Sequence, residues 1–245
     1  MSTTQTTLPP RPRRRAGKHP LTQWLAPAGL IALTLIPMAA GTMRLTELGT
    51  GAEVTPANAR FFDSPLPVVL HIVGSTLFLL LGALQFVPSL RRRRWHRRAG
   101  RVVAPAGVVS AASGLWMAVM YDLPANNGVG LMVMRIALAL AMAGAIVLAV
   151  LAIRRGDVGT HSAWMTRAYA IGLGAGTQVL TAGTWAILVG PPDELANTVL
   201  MGLGWGINLV VAEIAIRRRG GARAGVRTSR GRLAGDLRRP PIMSP

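Results

Sequence analysis

The sequence predicts an all-α protein: a polytopic transmembrane helix bundle of six spans, with both termini in the cytoplasm. Three observations predict it. Apolar residues make up 51% of the chain, yet its net charge is +18. That charge is segregated, with long apolar runs alternating with short basic stretches, which is the pattern of a multi-span membrane protein rather than a basic soluble domain. The stretch from Arg91 to Arg101 then sets orientation. It reads Arg-Arg-Arg-Arg-Trp-His-Arg-Arg-Ala-Gly-Arg, without an acid and with an apolar run on each side. Each such charge at the bilayer centre costs about 2.5–3.5 kcal/mol on insertion scales. The stretch is therefore expected to be a loop between two spans, held in the cytoplasm by the positive-inside bias.

Residues 1–23 form a basic polar tail carrying Arg11, Arg13, Arg14, Arg15, Lys18 and a solvated His19. Span 1, at about 24–43, is too long for the apolar region of a secretory signal, and five more apolar runs follow it. Spans 2 to 6 fall at about 67–90, 102–121, 129–153, 163–189 and 197–216. Each is near the roughly 20 residues that cross the hydrocarbon. Pro67 and Pro88 sit near the ends of span 2, whereas Pro27, Pro37 and Pro105 lie inside apolar runs and are expected to kink helices rather than end them. Residues 217–245 are rich in Arg, Gly and Pro and are expected to be a disordered basic cytoplasmic tail.

The charge distribution agrees with this topology. Of the 27 basic residues, only Arg44, Arg60, Arg135 and Arg167 fall outside the segments 1–23, 91–101, 154–162 and 217–245. Glu47, Glu53, Asp63, Asp122, Asp193 and Glu194 fall in the opposite segments. The inverted topology would carry nearly all the arginines through lipid. Trp24, Trp95 and Trp164 at one interface, with Tyr121 and Trp185 at the other, read as an anchoring aromatic belt. The pairs Gly172–Gly176 and Gly202–Gly206 let helix backbones approach closely. Packing within the chain is their first reading, and a homo-oligomer contact is the alternative. The basic segments are expected to meet anionic lipid headgroups. Nucleic acid is not expected, because no aromatic residues interleave the basic tail.

With no cysteine, the chain has neither disulfides nor thiolate metal sites. Its chemistry must rest on polar groups inside the membrane, which are costly and so are functional candidates by default. His71, Arg135, Arg167 and Glu213 lie inside spans, and His96 and His161 lie at the inner boundary. Counting along the helices puts His71 roughly 6 Å and Arg135 about 9 Å below the outer surface, close enough to share a pocket. Arg167 and Glu213 lie at matched depth near the inner side, where an ion pair would offset the burial of both. Asn208, Tyr169 and Gln85 are available to complete hydrogen bonds there. The plain alternatives are snorkelling for Arg167, an i,i+4 pair with Arg217 for Glu213, and hydrogen-bonded packing for His71.

Spans 2–3 and 4–5 also read as two similar hairpins. Each begins with a buried group, His71 or Arg135, and each places a histidine, His96 or His161, at the head of the returning helix. A parallel repeat would set those two imidazoles at one depth, where they could ligate the iron of one haem b. His71 is the candidate for a second site near the outer face.

These residues carry a family resemblance. The run from His71-Ile72, then Trp95-His96-Arg97 with Gly100-Arg101, then His161, Trp164-Met165 and Arg167-Ala168-Tyr169-Ala170, and finally Trp205, Asn208, Ala212 and Glu213 resemble a bacterial family of predicted multi-pass integral membrane proteins. That family is known only as a domain of unknown function. The likeness covers about residues 67–219 and implies a membrane fold of six or seven spans, with no activity attached; the bundle itself is expected in a bacterial inner membrane. This chain departs from the relatives at Ser162 and at Thr177-Gln178, where they carry arginine.

Three functions are compatible with these features. The first expectation is b-type haem binding at His96 and His161, with electron transfer across the membrane to an unidentified redox partner. The second is a transporter or small-molecule binder using Arg135 and His71, with Arg167 and Glu213 as an inner gate. The third is a non-catalytic membrane subunit or anionic-lipid binder. The sequence holds no phosphate-binding glycine loop and no nucleophile triad, so it assigns no enzyme class.

Overall fold

Six helices are long and apolar enough to cross a membrane. The computed structural model describes residues 23–91, 94–124 and 126–236, with side chains described through residue 221. Among these residues every regular element is helical. In chain order they are α1 (Leu25–Thr50), α2 (Ala59–Asp63), α3 (Pro65–Gln85), α4 (Pro88–Arg91), α5 (Arg94–Met120), α6 (Val129–Arg154), α7 (Val158–Gly172), α8 (Gly174–Leu188) and α9 (Glu194–Asp236). The spans are α1, α3, α5, α6, the α7–α8 pair and α9 as far as Gly221.

Beyond α1 running on to Thr50 and α3 ending at Gln85, three boundaries differ from expectation. The basic run is largely not a loop: α5 begins at Arg94 and takes in Trp95 to Arg101. Arginine is a good helix former. The 27 residues of α5 also exceed what the hydrocarbon requires, so the first turns can project beyond it. Span 5 is broken at Leu173, between α7 and α8. Finally, α9 runs on to Asp236, past the expected start of the disordered tail at 217. A helix already formed extends without the cost of a new nucleus. Residues 1–22 with His19, Arg92 and Arg93 of the basic run, and 237–245 lie outside the described residues. Pro37 and Pro105 sit within continuous helices.

Packing centres on α3, α5, α6 and α7. The helix α3 lies along α5, α5 against α6, and α6 along α7, while α1 flanks α3 and α8, and α9 flanks α7 and α8. Between helices in lipid there is little transfer energy to gain, so close van der Waals fit must hold them together. Phe78 of α3 is almost fully buried at the centre of that fit. Its ring lies against Gly107 of α5 and Gly172 of α7, and a Cβ at Gly107 would come within 2.6 Å of it. The ring of Tyr169 occupies the matching notch at Gly82, where a Cβ would lie 2.7 Å away. Phe78, Tyr169 and Phe86 form one aromatic layer, with centroids 5.8 Å and 5.1 Å apart in successive pairs. Large apolar side chains such as Leu35, Ile187 and Leu188 point outward from the bundle, as lipid-facing residues do.

Candidate functional site

A cavity of about 490 Å³ opens among α1, α2, α3, α5, α6, α7, α8 and α9, on the side of the aromatic layer away from the Arg91–Arg101 run. Its polar lining comes mainly from Arg60, His71, Asn127, Arg135 and Gln178. The rest is largely apolar, with Trp205 on one wall and Leu79, Met142 and Ile171 toward the aromatic layer.

Local packing places each group. Gly74 lets α3 approach α5 so closely that a Cβ there would lie 2.9 Å from the carbonyl oxygen of Ala106. One turn earlier on α3, His71 therefore reaches across, and its Nδ1 lies 2.9 Å from the carbonyl oxygen of Ser110. A carbonyl can only accept, so Nδ1 carries a proton, and in the neutral form of the ring Nε2 is an acceptor. Arg135 enters from the second turn of α6, half-buried. It forms no hydrogen bond or ion pair among the described residues, whose two ion pairs are Arg44–Glu47 and Arg167–Glu213. The sequence-expected sharing of one pocket by His71 and Arg135 is what the structure shows.

The broken span forms another wall. Gly172, Ala175 and Gln178 line the cavity from either side of Leu173. The Nε1–H of Trp205 donates to the Ile171 carbonyl at 3.2 Å, satisfying a backbone group at the break. The Gln178 amide donates to the Met201 carbonyl at 3.2 Å. At the mouth, the guanidiniums of Arg44 and Arg60 lie 4.3 Å and 4.5 Å from the Phe61 ring centroid. Phe61 in turn meets Tyr121 edge-on, and Tyr121 donates to the Ser64 carbonyl at 2.6 Å. Buried Asn197 ties α9 to the α5–α6 connection, donating to Asn126 O at 2.8 Å and Asn127 Oδ1 at 2.9 Å. The sequence reading missed Arg60, Gln178 and Trp205 as members of this site. Their common signal was a polar or aromatic side chain at the head of, or one face of, an otherwise apolar helix.

The remaining expected residues lie elsewhere. Arg167 and Glu213 do form an ion pair, Nε–Oε1 at 2.5 Å and Nη2–Oε2 at 3.1 Å, between α7 and α9. It sits at the partly exposed rim of the bundle with Arg167 over the Trp164 ring, and neither residue lines the cavity. Tyr169 donates to the Leu79 carbonyl at 3.0 Å. Asn208 accepts from Thr177 at 2.7 Å. Neither completes the Arg167–Glu213 pair. His96 and His161 lie at the arginine end of the bundle, within electrostatic reach of each other and of Arg91. His161 Nδ1 donates to the Ala149 carbonyl at 2.9 Å. The Nδ1 of His96 and both amide atoms of Gln85 are buried without a hydrogen-bond partner among the described residues. Those residues contain no group of three or more His, Cys, Asp or Glu placed to hold a metal ion.

The family model described as "Predicted membrane protein (DUF2306)" matches residues 68–216. The chain is a DUF2306 protein. The DUF2306 match runs from the first turn of α3 to α9 just before Arg217, and so takes in His71, Arg135, Gln178 and Trp205. The α1 wall of the cavity and Arg60 at its mouth lie outside the DUF2306 segment. No curated protein and no solved structure matches the chain.

Proposed function

We propose that this protein binds a small amphipathic molecule with an anionic group, such as an alkyl carboxylate, in the cavity of His71 and Arg135. One observation carries the proposal: Arg135 faces a largely apolar cavity with no carboxylate among the described residues to neutralise it. An intramembrane charge needs a partner, and a ligand anion supplies one. The Nε2 of neutral His71 then accepts from a hydroxyl or amide on the same ligand. The volume falls within the usual range for small-molecule sites. The break in span 5 beside the cavity favours exchange of the ligand across the membrane, since discontinuous helices often form the midplane sites of transporters. Trp205 provides the readout. Medium-chain carboxylates are expected to shift its fluorescence, and the matching alcohols to bind more weakly. Arg135→Ala should weaken the carboxylate by about tenfold to a hundredfold, the usual worth of a hydrogen bond to a charged group. Equal affinity of wild type and Arg135→Ala would remove the proposal.

The orientation belongs to the same reading: the arginine end faces the cytoplasm of a bacterial inner membrane, and the cavity mouth faces out. A second reading, haem b between His96 and His161, is favoured by their proximity and by the Ala149 hydrogen bond that leaves Nε2 of His161 free. It fits His96 less well, because nothing orients that ring through its buried Nδ1. An absorbance spectrum of protein made with ample haem tests it.

A further inference from the structure

Gln85 closes α3, His96 opens α5 and His161 opens α7, so three helix ends bring these side chains to one end of the bundle. Buried polar atoms are almost always paired, yet Gln85 Nε2, Gln85 Oε1 and His96 Nδ1 are not. Leaving such atoms unpaired is costly, so something outside the fold is the natural partner. The surroundings say what its charge should be. Arg91 donates its Nε–H to the Gln85 carbonyl at 3.0 Å and acts electrostatically on His96. The Arg219 guanidinium lies 5.8 Å from the ring centroid of Phe86, the residue after Gln85. Asp157, the acid nearest His161 in sequence, has its carboxylate engaged by the Thr160 N–H.

We propose that the Gln85–His96–His161 cluster is a second binding site and that it takes a phosphate ester carrying a hydroxyl. A pure acceptor such as a carboxylate would satisfy the Gln85 amide hydrogens, and His96 Nδ1 in the tautomer that protonates it, but leave Gln85 Oε1 unpaired. A phosphate with a hydroxyl, its own or that of an attached glycerol, supplies acceptors and a donor together. Arginines suit its charge and geometry. The glycerophosphate head of an anionic lipid and a free phosphate share this chemistry. The site is independent of the Arg135 cavity: Gln85 stands about 21 Å along α3 from His71, which lines that cavity.

The test is the melting temperature of the full-length protein in detergent with short-chain phosphatidylglycerol, sodium phosphate or short-chain phosphatidylcholine added. Phosphatidylglycerol is expected to raise Tm, and phosphatidylcholine is not. A matching rise with sodium phosphate would support the site with free phosphate as its source, whereas no rise with it assigns the lipid. Gln85→Leu removes both unpaired amide atoms, so its Tm without ligand should equal or exceed that of wild type while the rise is lost. His96→Phe should also lose the rise, and Arg135→Ala should keep it. An undiminished rise in Gln85→Leu and His96→Phe would reduce the effect to diffuse charge and overturn the proposal. So would no rise with any phosphate, an equal rise with phosphatidylcholine, or a Soret band that His161→Ala abolishes.

Discussion

Arg135 and Arg167 are both arginines inside apolar spans, and the sequence treated them alike. Their surroundings separate them. Arg167 reaches Glu213 and the face of Trp164 at the rim, which is a staple between α7 and α9. Arg135 meets no acid among the described residues and faces a cavity, which is why it carries the functional reading. Depth along a helix was legible from hydropathy and residue count, so the pairing of Arg167 with Glu213 and of Arg135 with His71 could be expected. The azimuth of each side chain was not, because it depends on which helices pack where. For the same reason Gln85 read as a helper to Arg167 yet stands at the arginine end, apart from that pair. Asp157 illustrates a simpler residue effect. It caps α7 by accepting from the Thr160 N–H at 2.9 Å, and the hydrogen bonds of Thr160 hold its carboxyl below the usual range. A lowered folded-state value means that the contribution is complete above the ordinary carboxylate pKa and is lost as pH falls through the lowered one. Asp157→Asn should therefore keep a cap but flatten the acid side of the Tm–pH curve, while Asp157→Ala should lower Tm at neutral pH.

At the scale of elements, hydropathy alone revealed the six spans, since a run of about 20 apolar residues has few other uses. Two features of those spans were hidden. The start of α5 at Arg94 was obscured because charge marks where lipid ends, not where a helix ends. The break at Leu173 was obscured because the glycines around it also read as a close-packing motif. In the structure those glycines serve both ends: Gly172 receives the Phe78 ring and Gly174 lies under Trp205. Gly107 is the cleanest probe of the packing, being buried in mid-helix with a negative φ and the Phe78 ring directly over it. Gly107→Val should force α3 and α5 apart. The expected cost is about 1–3 kcal/mol, typical of overpacking, read as a lower Tm. Phe78→Leu in the same background should recover part of the loss by vacating the notch. Equal Tm values for wild type and Gly107→Val would mean that the helices yield more than this fit allows.

Across the whole molecule, charge divides the chain into two ends. The arginine end holds Arg91, Arg154, Arg155 and Arg217, and the opposite end holds Asp63, Asp122, Asp193 and Glu194. Because the native chain lacks cysteine, single cysteines report which side is which. A cysteine at Gly100 should resist a membrane-impermeant maleimide in intact cells and react once the cells are opened, whereas a cysteine at Gly190 should react in both. The reverse pattern would turn the bundle over. That the fold is a helical bundle in the DUF2306 family was readable from motif and hydropathy together. That its two polar clusters are isolated from each other was not, since it rests on rings that meet only after folding. The layer of Phe78, Tyr169 and Phe86 stands between the cavity and Gln85, with the Phe78 and Tyr169 rings set into glycine notches. Its three rings are the dielectric between two polar compartments, and the one hydroxyl they carry, that of Tyr169, is already committed to the Leu79 carbonyl.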